Sequence, residues 1–107
     1  MAILRTTFTG PDGRSYPELE LAQQSDWLLF EQIASILETE LSGTWGERVD
    51  GLDERYWDLN TRSGTLTLHL QHYFGITIYP TSGADADPDS LALLAHAHAL
   101  LTARIPV

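Results

Sequence analysis

The chain contains no cysteine and no lysine among its 107 residues. Without cysteine there is no disulfide, no thiol nucleophile and no thiolate-ligated zinc or iron–sulfur site. Without lysine, Schiff-base chemistry and the phosphate-binding loop that ends in that residue are excluded. No stretch reaches the roughly 18 consecutive apolar residues that span a bilayer, so no membrane partner is expected. Neither G-x-S-x-G nor G-x-G-x-x-G occurs. The sequence therefore offers no nucleophile elbow and no dinucleotide loop, and no cofactor is expected. Met1 to Thr7 lacks a basic region followed by an apolar one, so no signal peptide is expected and the cytoplasm is the expected location.

Positive charge is also scarce. Six arginines face fifteen acidic residues, for a net charge of −9. From Ser15 to Glu47 there are seven carboxylates (Glu18, Glu20, Asp26, Glu31, Glu38, Glu40 and Glu47) and no basic residue. Such a surface repels phosphate backbones, which argues against nucleic acid as a partner. It attracts a basic protein and speeds the encounter. Solubility alone is a sufficient reason for the same charge. Glu31, Glu38 and Glu40 lie on one predicted helix and make a candidate acidic contact surface.

What is present is a clear alternation. In Leu66–Leu70 and Ile76–Pro80 the apolar residues recur every second position, the signature of two half-buried strands joined by a short turn. Arg55 to Asn60 reads as a third strand, with Thr61–Gly64 as the turn between. Ala2 to Thr9 reads as a first strand, with Leu4, Thr6 and Phe8 on one face, and Gly10-Pro11-Asp12-Gly13 ends it. Ser15 to Gln24 is polar and ambiguous, although Leu19 and Leu21 suit a place over the core. Thr44 to Glu54 reads as a mixed-charge loop.

Two helices are expected. Ser25 is the predicted N-cap of the first, Ser42 its approximate end and Gly43 its C′ residue. Leu29, Phe30, Ile33, Ile36, Leu37 and Leu41 form its apolar stripe. Asp87-Pro88 opens the second, because Asp caps and a first-turn Pro has no N–H to satisfy. This helix should reach Arg104 and bury Leu91, Leu93, Leu94, Ala97, Leu100 and Leu101. The expected fold is a single α+β domain over residues 1–107. It has two layers, an antiparallel sheet in β-α-β-β-β-α order with two helices on one face.

Turn lengths set the pairing. Leu70 should face Ile76, Leu68 Ile78, Leu66 Pro80 and Leu59, and Trp57 Leu68. The two turns give the same facing independently, whereas a one-residue slip would invert it. The other face then carries Tyr56, His69 and Thr77 in one row and Asp58, Thr67 and Tyr79 in the next. With both helices on the apolar side this face is open. It suits a bound partner or a second copy of the chain, or it is the ordinary solvated side of an antiparallel sheet.

Four histidines raise the question of a metal. His69 and His72 straddle a strand end and a turn, near Asp58, and are the candidate ligands for zinc or nickel. His96 and His98 lie about 200° apart around a helix and do not chelate one ion. Asp85, Asp87 and Asp89 imitate the start of a calcium loop but lack its Gly and terminal Glu. The carboxylates Glu47, Asp50, Asp53, Glu54 and Asp58 are interleaved with Arg48, Arg55 and Arg62, which favours a salt-bridged surface loop over an acid/base pair.

Gly51–Asp58 followed by Leu66–Ile76 resembles small stand-alone bacterial proteins, and size, acidity and element order are similar to those of immunity proteins that neutralise polymorphic toxins. The resemblance implies a non-enzymatic, acidic protein-binding domain, an inhibitor of a basic toxin. Size, acidity and class also resemble secretion chaperones, which implies a dimer. The alternative from another class is a small metal- or ligand-binding enzyme that works on the open sheet face.

Overall fold

The computed structural model describes residues 3–105. The strands are β1 (Leu4–Thr9), β2 (Ser15–Ala22), β3 (Thr44–Asp50), β4 (Glu54–Asn60), β5 (Thr65–Gln71) and β6 (Gly75–Pro80); the helices are α1 (Trp27–Glu40) and α2 (Pro88–Arg104). A 3₁₀ turn at Gly83–Asp85 precedes α2. The fold is α+β, and the predicted elements occur in the predicted order. Two further strands, β2 and β3, lengthen the sheet to six, in the order β1-β2-β6-β5-β4-β3. All neighbours are antiparallel.

Pairing of β4, β5 and β6 follows the register expected from turn lengths: Leu59 with Leu66, Trp57 with Leu68, Leu68 with Ile78, Leu70 with Ile76 and Leu66 with Pro80. These side chains join Phe30, Ile33, Ala34 and Leu37 of α1 and Leu93, Leu94, Ala97 and Leu101 of α2 in one buried cluster. Both helices therefore lie on the same face of the sheet. Burial is worth about 1.5–3 kcal/mol for each such large side chain.

The two added strands have distinct causes. In β2, Leu19 and Leu21 are fully buried in the cluster while Glu18 and Glu20 alternate with them, and Leu19 pairs with Ile78. The ambiguous segment is thus a central strand, bulged between Glu20 and Ala22. Gly75, at φ +93°, makes room for it: a Cβ there would sit 2.1 Å from the Ala22 carbonyl oxygen. The predicted loop at Thr44–Glu54 is instead mostly β3, an edge strand with mainly exposed side chains. Its charges hid it, because charged residues are how natural edge strands avoid pairing with other chains.

Helix ends differ in detail. Asp26 rather than Ser25 caps α1, its carboxylate accepting from Leu29 N at 3.0 Å. Ser42 rather than Gly43 takes the left-handed conformation, at φ 51°. Gly43 N–H then bonds the Glu38 carbonyl, the closing bond of a Schellman motif. The Gly is needed for space, since a Cβ at 43 would meet Leu59 Cδ1 at 2.4 Å. Asp87 caps α2 with Pro88 next, as expected. Leu91 and Leu100 depart from the predicted buried set: Leu91 is 42% exposed and Leu100 half-buried. Ala2 and the facing of the Leu4, Thr6 and Phe8 side chains lie outside the described residues.

Candidate functional site

The face of the sheet away from the helices is built by alternation. Tyr56, His69 and Thr77 pair in one row, which Glu20 of β2 extends. Asp58, Thr67 and Tyr79 pair in the next, and Glu18, beside Tyr79 and Pro17, adjoins them. All six residues predicted for this face are on it. Glu18 and Glu20 were missed because β2 was not recognised as a strand, though its own alternation with Leu19 and Leu21 carried the signal.

Aromatic packing organises the first row. The His69 ring stacks on Tyr56, with centroids 4.1 Å apart and planes at 15°, and meets Tyr79 edge-on at 6.2 Å. Tyr56 Oη donates to Glu54 Oε2 at 2.7 Å. This hydrogen bond, with burial and the Glu54 charge, raises the Tyr56 phenol above its ordinary range. His69 Nε2 is buried 3.9 Å from the same carboxylate, too far for a hydrogen bond, and has no hydrogen-bond partner among the described residues. Burial lowers the His69 pKa and outweighs the attraction of Glu54, so the imidazole stays neutral at neutral pH.

The second row is less open than its position suggests. Thr67 is only 4% exposed. Its hydroxyl donates to Asp58 Oδ1 at 2.7 Å and lies 2.8 Å from Thr81 Oγ1. Since Thr67 has one proton and the carboxylate only accepts, Thr81 donates in the second bond. Tyr79 is pushed up to about 12, first by burial and then by Tyr56, Asp58, Glu18 and Glu54. It is a neutral phenol at physiological pH, held in a negative field.

Among the described residues, depressions on this face include two that border Glu18. One of about 370 Å³ is lined by Glu18, His69, Gln71, Phe74, Gly75 and Thr77. The other, about 300 Å³, lies between Tyr16 and Tyr79. Phe74 links the first to the β5–β6 turn, where Tyr73 is 84% and Phe74 66% exposed. Exposed Leu52, in the β3–β4 turn, is at the same end, since His72 N–H bonds the Asp53 carbonyl across the two turns.

The other candidates fare differently. His72 is exposed, its ring set against Tyr73 at 4.7 Å, whereas His69 is half-buried on the sheet. Among the described residues no group of three or more His, Asp or Glu is gathered as metal ligands. Of the α1 carboxylates, Glu31 pairs with Arg55 at 3.4 Å and Glu40 pairs with Arg104; Glu38 is exposed. Two of the three are therefore partly neutralised by arginines distant in sequence. Arg55 itself is buried among Trp27, Phe30 and Trp57, and Asp50 Oδ1 accepts from both Arg55 Nε and Trp57 Nε1. These two hydrogen bonds hold the Asp50 carboxyl below its ordinary pKa. The cluster fastens β3 and β4 to α1 on the helix side and has no part in the open face.

The fold and this face define a small two-layer α+β domain that presents an acidic, aromatic sheet surface. Residues 14–99 match the family described as "Protein of unknown function (DUF3630)". The chain belongs to that family. No curated protein and no solved structure matches the chain significantly. Among the described residues no helix is long and apolar enough to cross a membrane.

Proposed function

We propose that this domain binds a basic protein on its open sheet face, without catalysing a reaction. One observation carries the reading: carboxylates of Glu18, Glu20, Glu54 and Asp58 surround the rings of Tyr56, His69 and Tyr79, and Phe74 joins this face to an exposed aromatic turn. Aromatic anchors that exclude water, rimmed by charge that steers the encounter, are how protein interfaces combine affinity with rate. Catalysis finds less support, because His69 is hemmed in by rings, the Tyr79 phenol is hard to ionise and Asp58 is engaged by Thr67. A cytoplasmic immunity-type inhibitor is the specific form we favour, its partner a basic toxin masked by these carboxylates.

Affinity capture at low and at high salt tests the proposal. A basic protein should be retained at low salt and released at high salt. Glu20→Lys and the pair Tyr73→Ser with Phe74→Ser should each weaken retention at least about tenfold. Absence of any salt-sensitive protein partner, with a small ligand co-purifying, would overturn it.

A further inference from the structure

The depression between β2 and β6 has a chemistry of its own. Its lining is Tyr16, Pro17, Glu18, Tyr79, Thr81 and Gly83. Tyr16 is held from two sides: its hydroxyl donates to Asp12 Oδ2 at 2.9 Å, and Gly83 passes against the ring so closely that a Cβ would lie 3.0 Å from Cδ1. An ion pair between Arg14 and Asp85 ties the β1–β2 turn to the 3₁₀ turn. Opposite, Tyr79 is braced edge-on by His69, and the Thr81 hydroxyl is committed to Thr67. The walls thus offer two tyrosine rings, a proline ring and a carboxylate, with no cationic side chain lining them among the described residues.

An anion would meet Glu18 and the negative rings' faces, and a neutral polar molecule would find few hydrogen-bonding groups to replace its water. A cation wrapped in methyl or methylene groups meets complementary surface in the two tyrosine rings and the Glu18 carboxylate, because aromatic faces attract cations most strongly where water is excluded. The field of Asp58, Glu18 and Glu54, which adds to burial in raising the Tyr79 pKa, acts in the same direction. About 300 Å³ is the small end of ligand pockets, suited to one cationic head group.

We propose that the Tyr16–Tyr79–Glu18 pocket binds an alkylammonium group, carried by a free quaternary amine or by the lysine tip of a basic protein. The pocket stands or falls separately from the protein-binding reading, although its lysine arm rests on that reading.

The test is an NMR titration of the isotope-labelled chain with choline, its neutral isostere 3,3-dimethylbutanol, and Nα-acetyl-lysine methylamide. Saturable shifts at Tyr16, Glu18, Tyr79 and Gly83 are expected, with the neutral isostere at least about fivefold weaker. Choline alone would identify a free quaternary amine as the source; the lysine mimic alone would identify a protein side chain. Glu18→Gln, which keeps the pocket's shape, should weaken binding about threefold or more, and Tyr16→Leu at least as much. Equal binding of the isostere, or unsaturable shifts spread over all the carboxylates, would overturn the proposal. Loss of pocket binding with capture of a basic protein intact would overturn this inference alone.

Discussion

The two faces of one sheet are built from the same strands by the same alternation, yet they resist change for different reasons. On the helix side, Leu59, Leu66, Leu68, Leu70, Ile76 and Ile78 are buried against α1 and α2, so stability comes from apolar area and close packing. On the other side, Tyr56, His69 and Tyr79 are held by ring contacts, and Asp58 and Thr67 by short hydrogen bonds. A side chain there is protected only where its neighbours close over it. Thr67 and Thr77 occupy the same strand face in adjacent rows, but Thr67 is buried and bonded while Thr77 borders a depression. Facing and burial are therefore separate properties, and they separate within a few ångströms.

Substitutions sharpen the contrast. Leu68→Ala should cost about 2–5 kcal/mol in urea unfolding, because it opens a cavity in the packed side. Thr67→Val keeps the shape but strands the Asp58 carboxylate and the Thr81 hydroxyl, and should cost about 1–2 kcal/mol. A loss equal to that of Leu68 would mean that the second face is a core in its own right. Thr77→Ala, at the depression's edge, should cost under about 0.5 kcal/mol, and a larger loss would show that a further layer covers it.

His69 gives the contrast a pH dependence. Its folded-state pKa lies below the ordinary 6.5. Above that pH the ring is neutral in both states and contributes nothing to the slope. As pH falls below 6.5 the unfolded chain takes up a proton that the folded chain resists, so stability falls. His69→Phe, which keeps the stack on Tyr56, should flatten the fall in urea midpoint between about pH 7 and pH 5.5. An unchanged slope would mean that other groups, not this half-buried imidazole, set it.

Much of this was legible in the linear chain. The periods of two in β4, β5 and β6 and the parity of their turns were enough to put Tyr56, His69 and Thr77 in one row. What stayed hidden was β2 and β3: the alternation of β2 is short and lies in a polar segment, and β3, with Glu47, Arg48 and Asp50 and mainly exposed side chains, lacks the apolar alternation that marks a half-buried strand. Without β2, Glu18, Glu20 and Tyr16 were unplaced, and with them the acidic rim and the pocket. The α1 carboxylates looked like an unopposed acidic surface because Arg55 and Arg104 lie far along the chain from Glu31 and Glu40.

The sequence by itself determined which side of each recognised strand faces the core and where α2 starts, with α1 placed to within one residue, since side-chain direction follows from local backbone geometry and capping from neighbouring residues. Only the tertiary structure decided that the first hairpin docks through β2 on β6, that Thr81 closes over Thr67, and that Tyr16 and Tyr79 face each other across a pocket. Those outcomes depend on groups brought together from distant parts of the chain, whose contact energies leave no trace in any local period.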